Sequence, residues 1–423
     1  MERIDLTRIR ECMRRADEGG ELTIAFFGGS ITQGCAASVH EKTYSYRVFE
    51  WWKRTFPKAE FRYVNAGIGG TTSHFGAARI VPDLLMYQPD LAVIDFSVND
   101  GADDFFQETY EGILRRILEW KSKPAVLVLN HVFYDTGKNA QQYHNAAADW
   151  YHVPHVSMRD TLYRKVEAGE YAMEELTGDA LHPNDQGHEL VAEEIIAFFR
   201  QVWEETRARE GNVQKEAAQE AGLRREDVQK EDAREAGLQR GDVRKEAAQE
   251  AGLRREDVQK EAAQKAGLQE TDAQKGDSPL PSPMTENAYE FARRLTIREI
   301  SPELAGFRAD TEEKTGHLDL FKNGWIGKRP GDKIRFQVTA SCIALQYRKS
   351  VSKPALRARL VLDGNRGEAR ILDGNFEEDW GDCLYLEPIL HHGDHGKHSI
   401  ELEILDDGAE TAVPFYLVSL ITA

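Results

Sequence analysis

What the chain lacks narrows it first. Nowhere does a run of about 18 apolar residues occur, so no transmembrane helix is expected. The opening stretch, MERIDLTRIRECMRRADEGGE, is charged throughout and offers no apolar core of a signal peptide. Cysteine is scarce. Cys12, Cys35, Cys342 and Cys383 stand in no CxxC or other metal-ligand spacing, so they read as reduced thiols of a cytoplasmic protein rather than a disulfide framework. Positive charge is in deficit: 54 Lys and Arg face 72 Asp and Glu, for a formal net charge of −18. Such a surface repels phosphate backbones and anionic lipid, so neither nucleic acid nor a membrane is expected as a partner. The pattern carries no signal for oligomeric state.

What is there falls into three regions, expected at 1–205, 206–285 and 286–423. In the first, apolar runs with strand character stand at Thr23–Phe27, Tyr63–Asn65, Leu91–Phe96 and Ala125–Leu129, with a weaker one at Val153–Val156. Helical patterns separate them at Tyr44–Thr55, Phe75–Met86, Asp103–Trp120 and Asn139–Trp150. A short helix through Leu6, Ile9, Met13 and Ala16 precedes the first strand. A last helix is expected from about Asp185 to Glu205, with Leu190, Ile195, Ala197, Phe198 and Val202 on its apolar positions. Strands alternating with helices of this length imply βαβ units and a parallel sheet covered on both faces.

The composition then changes. QKEAAQEAGLRREDV at 214–228 returns at 244–258, and Val213, Val228, Val243 and Val258 repeat every 15 residues. The residues favour helix, but each repeat holds an Ala-Gly pair, and an interior glycine costs about 1 kcal/mol. No clean apolar face emerges, so a repetitive linker, helical or disordered, is favoured over a coiled-coil arm. Beyond GDSPLPSP (276–283) the period becomes two. Ile334, Phe336 and Val338 alternate with Arg335 and Gln337, and Ile400, Leu402 and Ile404 alternate with Glu401 and Glu403. Asp363-Gly364 and Asp373-Gly374 are hairpin-type turn signals. The third region reads as an antiparallel, jelly-roll-like β-sandwich.

Chemistry concentrates in four segments of the first region. In FFGGSITQG (26–34) a strand ends in Gly28-Gly29, and Ser30 opens the following turn; the segment is not a GxSxG elbow, because Thr32 holds the second glycine position. NAGIGGTTS (65–73) follows a second strand and can aim a backbone N–H into the crevice beyond the strand ends. In FSVND (96–100) Asn99 sits just past a third strand. In GDALHPNDQGH (178–188) Asp179 and His182 lie three apart, a spacing that lets a carboxylate fix one imidazole nitrogen while the other faces a serine.

In that order these segments resemble the four signature blocks of the SGNH, or GDSL-type, hydrolases, over about Leu22 to Phe199. The resemblance implies a flavodoxin-like α/β/α fold and ester hydrolysis through an acyl-serine. It implies Ser30 as nucleophile, His182 as base and Asp179 as its orienting partner, with an oxyanion hole from the N–H groups of Ser30 and Gly70 and the side-chain amide of Asn99. Gly29 stands where many members carry Asp. The second block leaves Gly69 and Gly70 as alternatives, and Gly70 is preferred because it aligns with the glycine before the Thr-rich stretch. No metal or organic cofactor is required, since a serine activated by imidazole and three converging donors suffice.

Other residues carry weaker signals. HHGDHGKH, with His391, His392, His395 and His398, admits a metal site, but it stands where a hairpin turn is expected. Trp325 and Trp380 admit sugar stacking, with core or rim packing favoured. Cys35 reads as a small buried thiol, and His131 and Tyr134 stand at a strand end that could border substrate. His74 and Arg79 are explained equally well by surface solvation. The expected activity is removal of acetyl groups from a sugar or oligosaccharide, since SGNH domains joined to a β-sandwich are often glycan deacetylases. The alternatives are a short-chain acyl or lysophospholipid esterase, and a glycan-binding protein whose hydrolase domain is inactive.

Overall fold

The computed structural model describes residues 4–238, 279–406, 408 and 412–423. Five parallel strands form the first sheet: β1 (Glu21–Gly28), β2 (Glu60–Gly67), β3 (Leu91–Asp95), β4 (Ala125–Asn130) and β5 (His155–Ser157). Their spatial order is β2-β1-β3-β4-β5, the flavodoxin-like winding. β3 and β4 are buried at every position, as strands covered on both faces must be.

The helices of this region are α1 (Thr7–Asp17), α2 (Ser30–Gln33), α3 (Tyr44–Thr55), α4 (Ser73–Asp83), α5 (Asp104–Leu118), α6 (Gln141–Trp150), α7 (Leu162–Glu167), α8 (Met173–Leu176) and α9 (Asp185–Leu238). Thr43 and Asp103 start α3 and α5 by accepting the backbone N–H groups of Tyr46 and Phe106. The expected strands and helices occur with ends displaced by a few residues, except in α9. It runs past Glu205 to Leu238, through the first copy of the repeat. The glycine penalty there is outweighed by the Ala, Glu, Gln, Lys and Arg around it, the strongest helix formers. Ala197, expected on the apolar face, is exposed, whereas Val191 and Ile195 are buried. The second copy of the repeat lies outside the described residues.

The chain divides into two compact units, Met1–Phe198 with Leu280–Ala423, and Phe199–Pro279. The parallel sheet and the C-terminal strands therefore belong to one unit. Those strands are β6 (Arg293–Leu295), β7 (Glu303–Ala305), β8 (Arg308–Ala309), β9 (Trp325–Gly327), β10 (Lys333–Ala340), β11 (Ile343–Lys349), β12 (Arg357–Leu362), β13 (Arg370–Asp373), β14 (Cys383–Leu390), β15 (Gly396–Ile404) and β16 (Phe415–Thr422). They form two antiparallel sheets, β13-β12-β15-β10-β7 and β14-β11-β16-β9-β8, with β6 also pairing β16. Phe336, Leu360 and Leu402 of the first sheet share a core with Trp325, Leu345 and Leu417 of the second. Asp363 and Gly364, both at positive φ, begin the turn between the paired strands β12 and β13. Asp373-Gly374 and His391–His395 form no hairpin: each carries the chain from one sheet to the other.

The sandwich docks on the parallel-sheet region through β16. Phe415, Leu417 and Leu420 enter the sandwich core, while Tyr416, Val418 and Ile421 pack with Ile68, Phe75 and Ala78, the last two on α4. The returning segment before β6 is fastened to α5. Arg115 pairs with Glu290 at 2.7 Å, both nearly buried. Glu111 accepts the N–H groups of Met284 (2.6 Å) and Thr285 (2.8 Å). Gly112 permits this approach, since a Cβ there would stand 2.8 Å from the carbonyl carbon of Tyr289.

Candidate active site

The strand order of the parallel sheet reverses between β1 and β3, and in such sheets the crevice beyond the strand ends at that point receives ligands. Ser30 follows β1 at the first position of α2, where a backbone N–H has no acceptor within its own helix. Gly70 stands in the loop after β2, and Asn99 just past β3. Asp179 and His182 lie between α8 and α9, in a loop held by a Thr177–Pro183 bridge and by the N–H of Tyr134, which donates to the Ala180 carbonyl at 2.7 Å.

These placements bring the sequence-predicted residues together. Ser30 Oγ lies 2.8 Å from Nε2 of His182. Nδ1 of His182 lies 2.6 Å from Oδ2 of Asp179. The other carboxylate oxygen accepts the backbone N–H groups of His182 (2.7 Å) and Leu181 (3.0 Å) and the Thr177 hydroxyl (3.0 Å). Partial burial opposes ionisation of Asp179, but the bonds from His182 and Leu181 outweigh it and hold the carboxyl at about 2. Asp179 is therefore an anion wherever the imidazole must act. Asp185 anchors the neighbouring loop by accepting Ser38 N–H (2.8 Å) and pairing with Lys42 (2.6 Å).

The residues expected to form an oxyanion hole, Ser30, Gly70 and Asn99, lie around the same turn. The N–H of Gly69 donates to Gln33 Oε1 at 2.6 Å, whereas no described acceptor takes that of Gly70. A Cβ at Gly29 would lie 2.2 Å from Oδ1 of Asn99, so glycine before the serine lets the Asn99 amide lie against this turn.

Beneath the site runs a buried polar layer that sequence reasoning missed. Arg79, for which surface solvation was an equally good explanation, is fully buried. It donates to the carbonyls of Gly28 (3.0 Å) and Ala66 (2.7 Å), tying together the ends of β1 and β2. Asp100 accepts the N–H of Ser73 at 2.8 Å and faces Nε2 of His144 at 3.0 Å, so it joins the Asn99 loop to the start of α4. Asp95 accepts from Thr32 Oγ1 at 3.0 Å, and burial pushes its carboxyl up to about 7 against that bond. A carboxylate closing the apolar run of β3, and a second one five residues on, were the available signals for Asp95 and Asp100. His131 is wholly buried against Tyr44, and burial lowers it to about 3; Tyr134 is also buried. His74 is buried between Phe105 and Tyr289. Cys35 is half-buried.

The two tryptophans part company. Trp325 is core, packed edge-on to Phe336 at 5.1 Å. Trp380, between β13 and β14, is 57% exposed and packs edge-on to Phe376. Its ring edge comes within 3.4 Å of where a Cβ on Gly70 would stand. Next to it a cavity of about 320 Å³ opens between the Gly70–Phe75 segment and β14, walled by Phe105, Phe106, Tyr385 and Pro388.

A serine hydroxyl, an imidazole and a carboxylate joined in that order, at the C-terminal edge of a flavodoxin-like sheet, are the parts of an acyl-transfer hydrolase. The chain belongs to the GDSL-like lipase/acylhydrolase family, which it matches over residues 26–190, and is a carboxylic ester hydrolase of the acetylesterase kind. Two solved structures of a two-domain esterase active on acetylated mannans, one co-crystallised with mannopentaose, are 39% identical to it with a TM-score of 0.81. The likeness covers 99% of this chain and 95% and 96% of those two. No curated protein matches the chain. Among the described residues no helix is long and apolar enough to cross a membrane.

Proposed function

We propose that the chain removes O-acetyl groups from a mannan-type oligosaccharide through an acetyl-serine intermediate. His182 Nε2 takes the Ser30 proton as Oγ bonds to the acetyl carbonyl carbon. The carbon–oxygen bond to the sugar then breaks, and His182 returns the proton to the departing sugar hydroxyl. Water, deprotonated by the same imidazole, releases acetate and restores Ser30. Asp179 orients the ring and stabilises its charged form. The N–H groups of Ser30 and Gly70 and the Asn99 amide stabilise the tetrahedral oxyanion.

The observation that carries this reading is the Ser30–His182–Asp179 chain lying in the same unit as an exposed Trp380 beside Gly70. An indole face is a stacking surface for a pyranose ring. The mannan class comes from the 39% identical two-domain esterase. A cytoplasmic location is part of the proposal and rests on four free cysteines.

The test is acetate release from acetylated mannan oligosaccharides by the full chain, alongside a p-nitrophenyl ester series of rising acyl length. Ser30→Ala should lower both activities by about 10⁴-fold or more and abolish fluorophosphonate labelling. Labelling at another serine would refute Ser30. Ester hydrolysis favouring longer acyl chains, with no acetate from the oligosaccharides, would favour the short-chain acyl or lysophospholipid alternative. Oligosaccharide binding with no hydrolysis of either substrate would leave the glycan-binding alternative.

A further inference from the structure

Away from Ser30, three potential ligands meet where the sandwich closes against α5. Glu108 lies on α5, and His391 and His392 directly follow β14. One ring nitrogen from each histidine and one carboxylate oxygen of Glu108 lie within 4.8 Å of one another. Each of the three is also held from outside by a neighbour. Oε1 of Glu108 accepts the N–H of Ala288 at 2.8 Å, while Oε2 faces Nε2 of His392 at 2.9 Å. Nδ1 of His392 faces Oε2 of Glu286 at 3.1 Å. Nδ1 of His391 faces the Tyr289 hydroxyl at 2.9 Å. Outer partners of this kind fix the tautomer and ring orientation of metal-binding histidines.

His392 thus has a carboxylate at both ring nitrogens, whereas a neutral imidazole donates only one N–H. With Nδ1–H toward Glu286, the Nε2 lone pair points at a carboxylate oxygen, and a cation between them satisfies both. Glu108 is only 4% exposed, and a buried carboxylate needs a positive partner. Both histidines are exposed, so an ion can reach them from solvent.

We infer that Glu108, His391 and His392 bind one divalent transition-metal ion of the zinc class, and that this ion clips the sandwich to the hydrolase region. Two imidazoles and a carboxylate suit zinc, whereas calcium and magnesium take mainly oxygen ligands. Metal–ligand distances of about 2.0–2.1 Å place tetrahedral ligand atoms roughly 3.3 Å apart. The His392–Glu108 pair, at 2.9 Å, opens slightly as His391 moves in, and water fills the remaining position. The neighbouring His398 is engaged elsewhere, with Nδ1 2.8 Å from Asp363, and His395 is not in the cluster. The inference does not depend on the role given to Ser30.

The experiment is calorimetric titration of chelator-stripped full-length protein with ZnCl₂. Visible absorption of added Co²⁺ gives a second readout that does not depend on stability. One ion per chain is expected, with a melting temperature raised by roughly 5 °C at about 100-fold excess over Kd. His391→Ala and His392→Ala should each weaken binding at least tenfold and remove the thermal shift. Glu286→Gln should weaken it about tenfold through the outer shell. His395→Ala should leave it unchanged, and turnover of p-nitrophenyl acetate should be the same with and without zinc. The absence of zinc binding, its persistence in the His391/His392 double variant, or its loss in His395→Ala would each overturn the inference.

Discussion

The two sheet systems bury their strands differently. β3 and β4 of the parallel sheet are buried at every residue, whereas β10 of the sandwich alternates buried and open positions along its length. A strand roofed by helices on both faces has no polar side to show, while a sandwich strand faces its partner sheet on one side and solvent on the other. β16, buried throughout, and its neighbour β11, buried from Ile343 to Tyr347, break the pattern of their own domain, because Tyr416, Val418, Ile421 and Ala344 pack with Phe75 and Ala78 of α4. The exceptions mark where the two regions meet. They also differ in what lies beneath the surface. The strand ends of the parallel sheet cover a cluster of buried ionisable groups, Asp95, Asp100, Arg79 and His131, while the sandwich buries Asp310 and Asp332 in its loops, away from the apolar residues shared by its two sheets. Chemistry thus sits in the first region, and the second supplies a docking face and an exposed aromatic.

The sharpest way to break this division of labour is at the oxyanion side. Asn99→Ala should lower kcat by about 10²–10³ on p-nitrophenyl acetate and on an acetylated oligosaccharide alike. A loss confined to the oligosaccharide would move Asn99 from the chemical step to substrate binding.

The next largest effect is on stability and separates the regions by pH. Burial raises Asp95 from its ordinary 3.8 to about 7, so the folded protein holds a proton that the unfolded chain releases. Stability from this group is full below about pH 4 and is lost as pH rises toward 7, by at most about 1.4 kcal/mol for each pH unit crossed. Asp95→Asn should therefore match the wild type near pH 4 and exceed it by a few kcal/mol above pH 7, read by urea unfolding. A gap independent of pH would show that Asp95 is not the group titrating.

At the joint between regions, Glu290→Ala leaves Arg115 without its closest carboxylate, although Tyr151, the Pro281 carbonyl and Glu119 remain near. A loss of about 2–3 kcal/mol is expected, below the usual cost of orphaning a buried charge because those partners persist. Turnover of p-nitrophenyl acetate per folded molecule should hold. If it collapses with the fold intact, the docked sandwich shapes the catalytic crevice itself.

The smallest effect should come from Trp380→Ala. We expect kcat/KM on acetylated oligosaccharide to fall about tenfold, near 1.4 kcal/mol and within the range of an aromatic contact, with p-nitrophenyl acetate changed less than twofold. Equal loss on both substrates would assign the indole to the loop carrying Gly70 rather than to the sugar.

Local pattern was enough to read the alternation of strands and helices before Arg200 and the period-two strands after Tyr289, and to single out Ser30, Asn99, Asp179 and His182 as candidates. Each of those signals lies within a few neighbours, and the His182–Asp179 contact spans only three residues. Everything decided across long separations was beyond it. The 2.8 Å approach of Ser30 to His182 crosses 152 residues, and the Arg115–Glu290 pair crosses 175. Arg79 could not be told from a solvated surface cation because a sequence does not reveal that two strand-end carbonyls await its guanidinium. His391 and His392 looked like turn residues because Glu108, from a helix nearly three hundred residues earlier, reaches them only when β16 docks on α4 and the return segment closes over α5. Periodicity and capping act between neighbours along the chain, whereas burial, charge pairing and ligand geometry are set by whatever packing brings alongside.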